Sequence, residues 1–224
     1  MQRMEPRGIV RYTLILGKIL LLGLKLQFLW LIYTFRGLII LGIFPAIASC
    51  VKLLERRFNA TDGLLAQLTD DKLSWSTLNR EFKEFYQQSF WEINAIGYLG
   101  GLISTTLIVD LAVNRAFIKS AALQYGLIVL LLMVMIYWLY VFTIYGRYQL
   151  SFWQYFRQSL IISIAKFTNT LAILVGTILV TVLLVTFPIL TLTALVPLYL
   201  TPMIWFSLHS CLAVEAVISN DSHA

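Results

Sequence analysis

From Tyr12 to Leu54 the chain runs through 43 residues in which charge appears only at Lys18, Lys25, Arg36 and Lys52. One helix of that length would reach about 64 Å at 1.5 Å per residue. The hydrocarbon core of a bilayer is only about 30 Å thick. A soluble domain offers no place to bury such a stretch, so the bilayer is the solvent and the chain must turn inside the run. Arg36-Gly37 supplies a charge for water and a flexible backbone for that turn. Pro45 is expected to kink or break the second apolar segment.

The rest of the chain repeats the pattern. Of 224 residues, 59% are hydrophobic and 12% charged, against about 25% charged in an ordinary soluble domain. No polar stretch is long enough to fold alone, so residues 1–224 read as one integral membrane domain. The fold class expected is all-α, a polytopic transmembrane helical bundle. Six apolar segments can be drawn: Tyr12 to Phe35, Gly37 to Leu54, Trp91 to Asn114, Ala121 to Tyr145, Leu160 to Phe187, and Ile189 to Val217. Five spans are the alternative, with residues 37–54 re-entrant and covered by protein. The run after the basic N-terminus is long, holds two lysines and has no small-residue cleavage site, so it reads as a retained span.

Charge placement favours six. With both termini cytoplasmic, the inner regions hold eleven basic residues: Arg3, Arg7, Arg11, Lys52, Arg56, Arg57, Lys72, Arg80, Lys83, Arg147 and Arg157. The outer loops hold three, Arg36, Arg115 and Lys119, a bias of the positive-inside kind. The excess of 17 basic over 11 acidic residues is thereby explained by flanking charges, and no nucleic-acid partner is expected. The expected location is a multi-pass position in the cell membrane, with the lipid bilayer as the constant partner.

Residues 55–90 form a cytoplasmic loop that passes into an interfacial helix. Asn59-Ala60-Thr61 matches a glycosylation sequon, a chance match on an inner loop. From Leu78 to Trp91 apolar side chains recur at helical spacing (Leu78, Phe82, Phe85, Tyr86, Phe90), with Arg80, Glu81, Lys83, Glu84 and Gln87 between them. That pattern suits a helix at the membrane interface leading straight into the third span. Phe82 to Phe90 resembles Phe152 to Leu160, with Phe, Gln and Ser identical at three aligned positions. Two similar interfacial amphipathic helices are therefore expected, each ahead of a span.

The usual catalytic patterns are missing. No phosphate-cradling glycine loop, G-x-S-x-G or H-E-x-x-H occurs, so an enzyme is not expected and no cofactor or metal is implied. Cys50 and Cys211 lie in apolar runs and read as small packing residues. His223 is in the tail, and His209 beside Ser207 and Ser210 reads as an interhelical hydrogen-bonder. The candidate site residues are polar groups within spans: Lys25, Asp110, Glu92, Lys166, Asn169, His209 and Glu215. A charge at a helix centre costs about 2.5–3.5 kcal/mol on insertion scales, so each needs a partner or a wet cavity. Lys18, Glu92, Lys166 and Glu215 fall in the inner half. Lys25 and Asp110 fall in the outer half and are expected on facing helices, neutralising each other.

The layout resembles the YesL family of bacterial integral membrane proteins of unknown function. Two patches carry the likeness: Trp30 to Phe35 leading to Gly37 through Ala46, and the aromatic stretch Phe82 to Trp91 followed by Asn94. The resemblance implies an accessory or interaction role beside a bacterial carbohydrate-uptake system, with four or five clear spans, and it brings no site residues. The alternative reading is a small-solute transporter or channel that uses the intramembrane polar residues.

Overall fold

The computed structural model describes residues 9–58 and 74–221, with side chains described over 17–58 and 74–215. Arg3, Arg7, the side chain of Arg11, the Asn59 sequon, Lys72 and His223 lie outside what is described. Among the described residues there are helices and no strands: α1 (Ile9–Arg36), α2 (Ile43–Phe58), α3 (Trp75–Val113), a π-helical turn (Asn114–Ile118), α4 (Ala121–Arg147), α5 (Phe152–Ala165), α6 (Phe167–Thr186) and α7 (Pro188–Asp221).

Five of these, α1, α3 with its π turn, α4, α6 and α7, are long and apolar enough to cross a membrane, which makes a multi-pass membrane protein. The count is the lower of the two expected, and α2 is the reason. Residues 37–42 are consumed by a turn, leaving a helix of 16 residues, about 24 Å long. Pro45 does not break this helix. It sits in the first turn, where the missing N–H has no intrahelical acceptor to lose.

The turn itself is unusual. Leu38 and Ile39 both adopt left-handed backbone, with φ of 57° and 65°, a rare state for a β-branched residue. Gly37 and Gly42 close its neck: a Cβ on Gly42 would run into the Thr34 backbone, and one on Gly37 into Gly42. Two carbonyls freed by the turn are taken up by α3, Leu41 O by Asn94 Nδ2 at 2.9 Å and Ile40 O by the Tyr98 hydroxyl at 2.5 Å. Leu38 to Leu41 project outward as an exposed apolar tip. Irregular backbone of this kind is tolerated in an apolar setting when neighbouring side chains satisfy its polar groups.

α2 is the hub. It packs against α1, α3, α4 and α7, and Ala46, Ala48, Ser49, Cys50, Val51, Leu53 and Leu54 are all buried. Small side chains let the neighbours approach, which is how membrane helices associate. α3 runs antiparallel to α2, as three contacts show. Phe44 lies against Gly97, Lys52 bonds Ser89, and Arg57 pairs with Glu81. α4 returns antiparallel to α3, with Trp138 on Ser104 and Tyr145 on Glu92. The reversal between them is built by Asn114, whose amide bonds both the N–H and the carbonyl of Ser120, while Lys119 takes the left-handed position. Most of the buried residues of α4 lie in its second half, from Tyr137 on. Its first half and the facing half of α3 carry exposed apolar side chains, the surface expected to meet lipid.

The two expected amphipathic helices exist, and they differ. In α3, Leu78, Phe82, Tyr86 and Ser89 are buried while Arg80, Lys83, Glu84 and Gln87 are exposed or half-buried. The aromatic face packs on protein: Tyr33 of α1 lies 4.8 Å from the Phe82 ring and 5.1 Å from the Tyr86 ring. This helix continues unbroken into its span. The second copy, α5, opens with a capping box at Ser151 and Gln154 and stacks Phe156 on Tyr137 at 4.9 Å. Its outward stripe is Trp153, Arg157, Ile161 and Ile164. It then breaks at Lys166, with φ −122° and ψ 55°, before α6 begins. The sequence likeness therefore extends to the buried serines Ser89 and Ser159 and stops short of the helix geometry beyond them.

α6 and α7 complete the bundle as an antiparallel pair. Thr181 meets Tyr199, Gly176 receives Pro202, and Asn169 bonds Ser210. α7 is bent at Ala194, with φ −149° and ψ 17°, just ahead of Pro197. Val196 N, next to the bend, donates to the buried Gln27 of α1 at 3.0 Å.

Candidate functional site

Charged side chains gather where the C-terminal end of α2 meets α3, α4 and α7. Lys52, Glu55, Arg56 and Arg57 come from α2, Glu81 and Glu92 from α3, Arg147 from the last turn of α4, and Glu215 from α7. An open cleft of about 400 Å³ lies here, walled by Lys52, Glu55, Arg56, Phe85, Gln88, Gly146, Arg147 and Gln149.

The cluster divides into three subsets. Arg57 bonds Glu81 at 3.1 Å, and the exposed Arg56 approaches the same carboxylate at 3.8 Å. Lys52 donates to Ser89 Oγ at 3.2 Å and lies 4.9 Å above the Tyr145 ring, while the Tyr145 hydroxyl donates to Glu92 at 3.1 Å. Arg147 grips Glu215 with two bonds, Nε at 2.8 Å and Nη2 at 2.7 Å, and the Tyr148 hydroxyl adds a third at 2.5 Å. Such a fork-to-carboxylate pair is among the strong charge-assisted bonds.

Glu55 stands apart. It is 4% exposed, and neither carboxylate oxygen has a hydrogen-bond partner among the described residues. Arg147 Nη1 approaches it at 3.9 Å, beyond bonding distance. Gly146 makes the room: a Cβ there would sit 2.5 Å from Glu55 Oε2. Burial pushes the Glu55 carboxyl up to about 7, against the pull of Arg147 and Lys52 and with a further push from Glu215. Lys52 is held below the usual lysine range by burial, which Glu92 and Glu55 oppose. Burial also raises the Cys50 thiol, keeping it inert packing material.

The residues singled out from the sequence distribute unevenly around this cluster. Glu92 and Glu215 belong to it. Asn169 bonds Ser210 across α6 and α7 at 2.9 Å, and Lys166 marks the break between α5 and α6. His209 is exposed and its Nδ1 meets the Trp205 carbonyl of its own helix at 2.8 Å, so it is not the interhelical bond expected. Lys25 and Asp110 do not pair with each other. Lys25 is half-buried on α1, whereas Asp110 is exposed in the half of α3 that packs on α4. The rings of α1 and α3 meet at Phe82 and Tyr86, about seven turns from Asp110. Sequence reasoning counted Lys52, Arg56, Arg57 and Arg147 as topology signals and passed over Glu55. The spacing held a clue: Ala48, Val51 and Glu55 share one helical face, and the first two are plainly core residues.

No group of three or more His, Cys, Asp or Glu side chains among the described residues is arranged to hold a metal ion. No curated protein and no solved structure matches the chain. Residues 24–111, which carry the turn, all of α2 and most of α3, are similar to a family described as a protein of unknown function, DUF624.

Proposed function

We propose that the protein is a non-enzymatic accessory or interaction component of the bacterial cell membrane, working beside a carbohydrate-uptake system, with the charged end of α2 as its working face. The observation that carries this reading is the gathering of charge at one end of the bundle, around an open cleft. The YesL-like patches, Trp30 to Ala46 and Phe82 to Asn94, build the hub turn and the cleft wall, which links the carbohydrate association to the same region. Under this reading the basic residues of the cluster lie on the cytoplasmic side with the C-terminal end of α7, and the odd count of five spans puts the start of α1 on the opposite side.

A transport path through the bundle has less support. Polar side chains inside the α4–α6–α7 core bond one another, Tyr140 to Thr170 at 2.9 Å and Asn169 to Ser210 at 2.9 Å, as structural groups do. Recovery of tagged protein from membranes with the subunits of a sugar-uptake system tests the proposal. Recovery alone, together with solute flux through proteoliposomes containing only this protein, would favour the transporter instead.

A further inference from the structure

We propose that Glu55 is a proton-binding site, and that losing its proton to water in the cleft draws Arg147 off Glu215, loosening the C-terminal part of α7 from the end of α4. The geometry presents one guanidinium and two carboxylates. Glu215 holds Nε and Nη2 of Arg147 together with the Tyr148 hydroxyl. Glu55, with Nη1 at 3.9 Å and no hydrogen bond, holds nothing. Keeping a buried carboxylate ionised in that condition is costly, and two changes relieve it. It takes a proton, or it takes the arginine. Closing from 3.9 Å to a charge-assisted bond of about 2.8 Å needs a shift of roughly 1 Å. Rotation about the terminal bonds of Arg147 supplies that shift.

The surrounding groups do not remove the conflict. On α2 itself Lys52 is committed to Ser89, and Arg57 to Glu81 of α3. Glu92 of α3 accepts from Tyr145 of α4. From α7, Glu215 pushes the Glu55 proton affinity up and Cys211 stands near Arg147. Among the described residues, no group of α1 acts on Glu55. The proton-affinity balance falls near neutrality, with burial the largest cause. The cleft that Glu55 lines gives the proton its way to water.

The experiment uses the full chain in lipid nanodiscs and follows the infrared band of protonated carboxyl groups against pH. Wild type should show a component titrating near pH 7 that Glu55→Gln lacks. In Glu215→Gln, Arg147 is released to Glu55, so the midpoint should fall by about one pH unit or more, tenfold in proton affinity. Hydrogen exchange in residues 205–215, corrected for intrinsic rates, should quicken above the midpoint in wild type and stay level in Glu55→Gln. If Glu55→Gln does not fold, Glu55→Asp identifies the band by its altered frequency. A spectrum with no component assigned to Glu55, a Glu215→Gln midpoint that stays or rises, or exchange that ignores pH would each overturn the proposal.

Discussion

Replacing Glu55 by Gln should make the protein more stable, and increasingly so as pH rises. The folded carboxyl sits at about 7, against an ordinary value of 4.5. At about 1.4 kcal/mol per pH unit, the difference corresponds to about 3 kcal/mol. A raised carboxyl contributes its full stability below the ordinary value, and that stability is lost as pH climbs through the folded value. Wild type should therefore lose about 3 kcal/mol between roughly pH 4.5 and pH 7.5 through this one group. Gln keeps the shape, is neutral throughout and does not share the loss. Thermal unfolding in detergent, at steps across that range, should show two curves close together at the acid end and separating steadily toward the alkaline end. Curves that run parallel, or a variant that is less stable at the alkaline end, would refute the assignment of Glu55 as a buried carboxyl without a bonding partner.

Other perturbations exploit close contacts. Gly146→Ala places a Cβ 2.5 Å from Glu55 Oε2, so it should lower the yield of folded protein, and Glu55→Ala in the same chain should restore much of it. Asn94→Ala strands the Leu41 carbonyl and should cost about 1–3 kcal/mol, read as a fall in the unfolding midpoint. Gly97→Ala puts a methyl 2.5 Å from the Phe44 ring. It should separate the start of α2 from α3, with Phe44→Leu as the partial rescue in the same unfolding assay.

The sequence was most informative where physics leaves one solution. Long apolar runs must become helices in lipid, and the break at Arg36-Gly37 must become a turn. The periodicity of Leu78 to Phe90 shows in the buried face of α3. What periodicity could not show is the partner of that face. An aromatic stripe fits a membrane interface and the side of Tyr33 equally well, and only packing decides between them. The span count turned on six residues. Gly37 to Gly42 read as the opening of a helix, but the meeting of two glycines at the neck and the caps from Asn94 and Tyr98 make them a turn.

The site was harder to read for a similar reason. Depth counted from the ends of spans placed Lys25 opposite Asp110, which assumes that α1 and α3 lie side by side along their lengths. Their rings meet near Tyr33 instead. Glu55 sits among basic neighbours at a helix end, where a charge is usually solvated. Its burial comes from Gly146, on a helix far along the chain, a long-range contact that no local pattern announces.

The measurement closest to the central claim is site-specific photo-crosslinking in native membranes. A photoreactive residue is placed at Gln88 on the rim of the cleft and, as a control, at the exposed Val129 of α4. If the charged end of α2 is the working face of an accessory protein, the Gln88 probe should yield a discrete adduct with a subunit of a sugar-uptake system and the Val129 probe should capture lipid. Identical lipid-only products from both positions would contradict the account.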